Sequence, residues 1–501
     1  MSVNYKSFFL NFFSANLIVR SLSLLKDMML GWIIGPNKIL DIFFFLITIP
    51  TVLTSTWNRA LETVFLTRFE KDFHDFGKET ALRNISLHVY NFTIISFIIY
   101  LLISAIFPII IYNYYNEFVN THLIYVVFLI NIVFVFETFI LGIKVLYFSQ
   151  NRFFVPSIFP VFQSMVLILG LILFDKITLL LLSILFTFGA LFQFLFFLMP
   201  EFRFFLKQIK INSNFKKSTQ VGFKNIVQLS LASGLSSLNL IIDQSFALAL
   251  GEGSNTYIHY GNYFILIYTF LIVNNISTIF FPQFQKYIIS KQKHKLEEDA
   301  RKVIRIILIL NLFIIVLVLN NGYFFLNFLL GYGKIVGKDL EIIYLCTVAY
   351  SGAFFGLAIN AIQVRIFHVY NHYNIIVWVA VLNLVLNFVF NYIFSKWFGV
   401  WGIALSTSVT LLILISVYFV YLKRHLALNL FKEGNYNWII RFIEVAGLVG
   451  IIELYFLQHI HRSFEIDILW NGVVILVTIF FLVSLMYIFR VIIVRNGKLI
   501  F

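Results

Sequence analysis

Charge is scarce in this sequence. Only 12% of its 501 residues are Asp, Glu, Lys or Arg, while 60% are hydrophobic. Soluble domains carry about 25% charged residues, so water alone cannot solvate a surface of this composition and lipid must cover much of it. Cysteine is nearly absent: Cys346, the single one, lies inside an apolar run, which excludes a disulfide framework and any cysteine-rich metal site. The chain also lacks a GxxxxGK[ST] loop, a dinucleotide loop, a zinc signature and a nucleophile elbow; those absences argue against a bound nucleotide, a metal and an acyl-transfer centre. Gly251-Glu-Gly253 is read as a turn between helices. The apolar run from Phe8 to Val19 has no small-residue cleavage site after it and is interrupted by Arg20, so it reads as the start of a retained helix. Long loops are missing too, which leaves no place for the catalytic lid of a membrane-embedded synthase or ligase. The expectation is a membrane protein that is not an enzyme and has no cofactor.

Long apolar runs are what the sequence has. They predict an all-α polytopic membrane protein of about fourteen transmembrane helices, over 11–34, 41–66, 85–112, 121–148, 156–174, 177–199, 225–250, 257–281, 303–325, 340–366, 374–394, 400–422, 439–457 and 467–489. The net charge of +14 would suggest nucleic acid in a soluble protein. Here the cations segregate by loop instead. One alternate set of loops holds only Lys38, Lys176, Lys334, Lys338, Lys396 and Arg462; apart from Arg20, Lys26 and Arg59, which fall within spans, the rest of the 37 Lys and Arg, Lys144 among them, belong to the other set. The positive-inside bias then puts both termini in the cytoplasm. A faint repeat supports two parallel six-helix units. Phe65-Leu-Thr-Arg-Phe-Glu-Lys71 closes the second span and Phe280-Phe-Pro-Gln-Phe-Gln-Lys286 the eighth; Gln150-Asn-Arg152 and Tyr370-Asn-His372 close the fourth and tenth. The organisation expected is a six-helix lobe over 1–200, a basic cytoplasmic linker over 201–224, a second six-helix lobe over 225–424, and two further helices over 425–501.

Polar residues inside such spans cost roughly 2.5–3.5 kcal/mol each when charged, and usually face a cavity or a partner. In the first span, Arg20, Ser23 and Asp27 share a face, with Lys26 beside them; a self-neutralising pair of Asp27 with Arg20 or Lys26 is the plainer reading. In the second, Thr48, Thr51, Ser55, Arg59 and Glu62 form nearly one stripe. Arg59 and Glu62, at i and i+3, have the spacing of a simple pair, and Asp41 that of a helix N-cap. Asp243 follows Ser236 and Asn239 on one face of the seventh span and has no cation in its own helix, which makes it the candidate ion- or proton-coupling residue. His259, Asn262 and Asn274 punctuate the eighth. Asn383, Asn387 and Asn391 make a ladder more typical of interhelical contacts than of a binding site.

The stretch Arg20-Ser-Leu-Ser-Leu-Leu-Lys26-Asp27, then Gly35, Asp41-Ile-Phe-Phe and Pro50, resembles the opening pattern of the lipid II flippase (MurJ/MviN) family of the multidrug/oligosaccharidyl-lipid/polysaccharide exporter superfamily. Asn151-Arg-Phe with Pro156 and Pro160, the region from Ser236 to Asp243 with Gly253-Ser and Tyr260, and Tyr332-Gly-Lys334 match further along. The resemblance implies a flippase for undecaprenyl-pyrophosphate-linked glycans in the bacterial cytoplasmic (inner) membrane, driven by an ion gradient or the membrane potential, with the lipid bilayer as its setting and neither nucleic acid nor nucleotide as partner. It implies a central substrate cavity in which Arg20, Lys26, Asp41, Thr48, Ser55, Arg59, His259 and Asn262 stand at or beside family cavity positions. Thr48 and Thr54 replace family cations, Arg59 replaces a Glu, and Asn262-Tyr263 replaces Asp-Arg. An O-antigen or exopolysaccharide repeat unit is therefore the alternative cargo, and an ion-coupled small-molecule exporter the third reading.

Overall fold

The computed structural model describes residues 5–114, 121–149, 154–208, 230, 234–235, 237–269, 284–288, 290–370, 372–430, 493–495 and 498–500. Apart from a terminal hairpin pairing Ile493–Arg495 antiparallel with Lys498–Ile500, the described elements are helical. They are α1 (Tyr5–Ile33), α2 (Lys38–Leu53), a π-helical turn (Thr54–Asn58), α3 (Arg59–Phe76), α4 (Lys78–Tyr114), α5 (Thr121–Ser149), α6 (Phe154–Ile158), α7 (Val161–Leu173) and α8 (Leu179–Gln208). There follow α9 (237–249), α10 (Ser254–Gly261), α11 (Tyr263–Tyr268), α12 (284–288), α13 (Lys293–Leu330), α14 (Lys338–Ala349), α15 (Ser351–Val369), α16 (Tyr373–Phe398) and α17 (Val400–His425). Among the described residues nine helical segments are long and apolar enough to cross a bilayer. The expected spans over 439–457 and 467–489 lie outside the described residues, as do parts of the seventh and eighth.

The helices cluster into two compact units, Met1–Thr256 with Gly333–Ile335, and Tyr257–Tyr332 with Val336–Phe501. The first is held by an aromatic core. Trp57, Leu61, Phe65 and Phe69 on one side of the π turn and α3 pack against Ile85, Val89 and Phe92 of α4 and Phe134, Leu141 and Val145 of α5. Pro50 sits inside α2. It has no N–H to give the preceding turn, and the π turn follows it at once. Two side chains from neighbouring helices anchor that turn: Thr138 Oγ donates to Asn58 Oδ1 at 2.9 Å, and Trp57 Nε1 donates to Ser96 Oγ at 2.9 Å. A π turn rotates the residues after it relative to a regular helix and is common at functional sites; this one aims Ser55, Arg59 and Glu62 to one side.

In the second unit α15 and α17 approach closely. A Cβ built on Gly356 would stand 2.4 Å from Leu411 Cβ. The break between α14 and α15 at Tyr350 is bridged by one hydroxyl of α17: Ser408 Oγ donates to Ala349 O at 2.6 Å and accepts Ala353 N–H at 3.1 Å. The asparagine ladder joins α16 to α17, with Asn391 Nδ2 donating to Asn387 Oδ1 and Ser406 Oγ to Asn387 O. The outer face of α16 carries Trp378 and Trp397, each 72% exposed. At 1.5 Å per residue they stand about 28 Å apart along the axis, close to the ~30 Å hydrocarbon thickness that interfacial tryptophans bracket.

Candidate functional site

A polar cavity of about 490 Å³ opens within the first unit, beside the π turn. Arg20 of α1, Pro50 and Thr51 of α2, Thr54, Ser55 and Asn58 of the π turn, and Arg59 and Glu62 of α3 line one side; Glu137 and Lys144 of α5, Gln163 of α7 and Phe186 of α8 line the other. Three cations and two carboxylates therefore face one small space in a protein otherwise poor in charge. The hydroxyls of Thr51 and Ser55 are turned back onto Ile47 O and Val52 O at 2.7 and 3.0 Å, which leaves their oxygens able to accept further bonds. Ser55 Oγ also lies 3.5 Å from Ser237 Oγ.

Of the residues expected at the site, the structure brings Arg20, Ser55 and Arg59 together in this cavity, while Lys26, Thr48 and Asp41 of the same unit do not line it. Lys26 is engaged by Asp27, its Nζ 2.9 Å from Oδ1, with both side chains largely buried. Thr48 is buried and donates to Phe44 O at 2.8 Å, within its own helix. Asp41 is 2% exposed and serves as a cap, though not of α2, whose first turn is capped by Asn37 Oδ1 accepting Leu40 N–H. Its Oδ2 accepts Gly253 N–H at 2.6 Å, and its Oδ1 accepts both Thr256 N–H and Thr256 Oγ–H at 2.7 Å. Asn255 Nδ2 donates to the Asp41 carbonyl. The turn can present these donors because Gly251 and Gly253 adopt positive φ, 116° and 84°, which other residues rarely take.

Asp243 is buried in α9, next to the buried Gln244. The Asn239 Oδ1 one turn away and Gln244 Oε1 are buried oxygens with no hydrogen bond among the described residues. Ser236 and Asn274 lie outside those residues. His259 and Asn262 belong to the second unit, where His259 meets Tyr260 and Tyr263 edge-on at 5.6 and 5.7 Å and Asn262 forms the turn after α10.

Sequence reasoning passed over Glu137 and Gln163, and it assigned Lys144 to a loop. Lys144 lies within α5, its Nζ 3.6 Å from Glu137 Oε2, and Gln193 Nε2 donates to Glu137 Oε1 at 3.1 Å. The signal was available. A Glu and a Lys at i, i+7 inside an otherwise apolar span fall on one face, and ionisable residues in spans mark functional sites.

A model of the family described as lipid II flippase MurJ matches residues 31–489. The chain belongs to that family. It is thus a multi-pass membrane protein of a family of lipid-linked precursor flippases, a transport family rather than a catalytic one. In fold the chain is similar to a lipid II flippase MurJ in an inward closed conformation, with a TM-score of 0.77 and 18% identity over 96% of this chain and 98% of that one. It is also similar to an inward-facing multidrug resistance MATE family transporter of the MOP superfamily, at a TM-score of 0.64 and 12% identity over 83% and 98% of the two chains. An outward-facing structure of that family matches at 0.57, with 13% identity over 83% and 95%. No curated protein sequence matches significantly.

Proposed function

We propose that this member of the family carries an undecaprenyl-pyrophosphate-linked glycan, a lipid II-like peptidoglycan precursor, from the inner to the outer leaflet of the bacterial cytoplasmic membrane by alternating access. The observation that carries the reading is the shared cavity of Arg20 and Arg59. A guanidinium presents planar paired donors that match phosphate oxygens, and Arg is less strongly hydrated than Lys. Thr51, Thr54, Ser55 and Asn58 add neutral groups suited to sugar hydroxyls. In this reading both termini are cytoplasmic, and the lobes 1–200 and 225–424 rock about the substrate while 425–501 forms the appended pair of helices. The cycle draws on an ion gradient or the membrane potential, one charge through 100 mV corresponding to roughly 2.3 kcal/mol. Asp243, with Asn239 and Gln244 oxygens nearby, is the residue proposed to hold the coupling ion.

A second cargo, an O-antigen or exopolysaccharide repeat unit, is favoured by one observation: neutral Thr54 lines the cavity, and Glu62 and Glu137 add negative charge beside it. Both cargoes share the diphosphate. The test is Arg20. Arg20→Ala should abolish export of the lipid-linked glycan in cells while the protein still accumulates in the membrane, and Arg20→Lys should retain part of it, because charge survives without the fork. Full export by Arg20→Ala at normal protein levels would reject the reading.

A further inference from the structure

The cavity contains a cation held loosely between carboxylates: Lys144 acts electrostatically on Glu62 as well as on Glu137. Lys26 sits on Asp27 at 2.9 Å, hydrogen-bonding distance. Lys144 stands 3.6 Å from Glu137, close enough for attraction and too far for a hydrogen bond of ordinary length. The reason lies in how Glu137 is held. Its Oε1 is taken by the amide of Gln193, a residue of α8 that is fully buried, so the carboxylate is tethered from behind. A long side chain on a helix leans toward the N-terminus. Lys144 therefore reaches back along α5 toward Glu137, two turns earlier, and its head stays in the cavity with 21% of the side chain exposed.

We propose that Lys144 is a further substrate-binding residue of the cavity, and that Glu137, fixed by Gln193, is a positioning residue that holds it until an anionic diphosphate takes its place. This rests on the reading of the cavity as the diphosphate site. Each partner has a physical task. An uncompensated ammonium in a low-dielectric cavity is expensive, so Glu137 makes Lys144 tolerable while the site is empty. An ammonium carries three rotatable donors and no fixed fork, so it can turn to an entering anion without moving its helix. Glu137 keeps its amide partner meanwhile and does not become an isolated charge. The carboxylate also opposes the bound diphosphate, which limits how tightly the site holds its cargo and favours release. The pair thus sets a balance: Lys144 adds affinity and Glu137 subtracts it. A merely structural ion pair would make the two variants err in the same direction.

The experiment uses the purified full chain in detergent with geranylgeranyl diphosphate, a prenyl diphosphate without sugar, as the probe, and geranylgeraniol as the uncharged control. Wild type should bind the diphosphate and not the alcohol. Lys144→Gln should weaken diphosphate binding on the order of tenfold or more, as expected for loss of a charged hydrogen bond. Lys144→Arg should bind better than Lys144→Gln and more weakly than wild type, because the charge survives while a fixed fork replaces the rotatable ammonium. Glu137→Gln, which keeps the shape and can still accept from Gln193, should bind several-fold tighter and flip a labelled lipid-linked glycan more slowly in vesicles. Thermal midpoints measured alongside identify any variant that fails to fold; Lys144→Arg, which keeps the charge, and Glu137→Gln, which keeps size and the bond from Gln193, carry the test in that event. Unchanged binding by folded Lys144→Gln, binding by folded Lys144→Arg no better than by Lys144→Gln, or weaker binding by folded Glu137→Gln overturns the proposal while leaving the diphosphate site standing. Failure of wild type to bind the probe overturns the reading of the cavity and the proposal with it.

Discussion

Replacing Asp41 by Ala removes the acceptor for three donors at once: the N–H groups of Gly253 and Thr256 and the Thr256 hydroxyl, at 2.6, 2.7 and 2.7 Å. All lie in a buried environment, since Asp41, Ser254, Asn255 and Thr256 are at most 3% exposed. A hydrogen bond to a charged group contributes about 1.5–3 kcal/mol, and leaving a buried donor unmade costs about 1–3 kcal/mol. The three bonds share one carboxylate and are not additive, so the expected loss is about 3–5 kcal/mol. Asp41→Asn should cost less. Its remaining oxygen can still receive both Thr256 donors, and only the Gly253 N–H then faces an amide that cannot accept it. Thr256→Val should cost less again, about 1 kcal/mol, because the backbone bond survives. In a thermal-shift measurement on the purified protein, the midpoints should fall in the order Asp41→Ala, Asp41→Asn, Thr256→Val, with the first lower than wild type by roughly 3–5 °C. The same preparations separate a cap from a substrate ligand, because folded Asp41→Asn should bind a prenyl diphosphate as wild type does. A wild-type midpoint for Asp41→Ala would refute the reasoning, and so would normal stability combined with lost binding.

Two further predictions follow from topology and coupling. Reporter fusions after Gly253 and Tyr332 should read as external and those after Phe76 and Lys293 as cytoplasmic; a shared side for Phe76 and Gly253 would contradict the proposed orientation. Asp243→Asn should leave the protein folded and able to bind a prenyl diphosphate, yet unresponsive to an imposed ion gradient in vesicles. A gradient response unchanged from wild type would remove the residue from coupling.

Nine of the expected spans are matched among the described residues, and were legible because their signal is additive: a run of about twenty apolar residues needs no partner to be recognised. The α2–α3 pair shows where that legibility stops. The sequence placed one span over 41–66, whereas the helix continues to Phe76, with a π turn at Thr54–Asn58 after Pro50. Length and hydropathy carry no information about that register shift. It bears on which residues of a polar stripe share the cavity: Ser55 and Arg59 line it, whereas Thr48, before the turn, is buried and does not. Asp41 was ambiguous for a related reason. A carboxylate at a helix start suits either a ligand or a cap, and its partners lie in a turn more than two hundred residues later. Lys144 was misread because a cation near the end of a span looks like a loop cation until a carboxylate two turns earlier is considered with it.

The central claim is that the cavity serves a diphosphate-linked glycan, and transport itself tests it most directly. The measurement is translocation of a fluorescent undecaprenyl-pyrophosphate-linked disaccharide across vesicles containing the purified chain, with an ordinary fluorescent phospholipid in parallel. The account predicts protein-dependent movement of the diphosphate-linked glycan, loss of that movement with Arg20→Ala, and no protein-dependent movement of the phospholipid. Equal movement of both lipids, or no movement of the glycan by correctly inserted protein under an imposed gradient and potential, would contradict it.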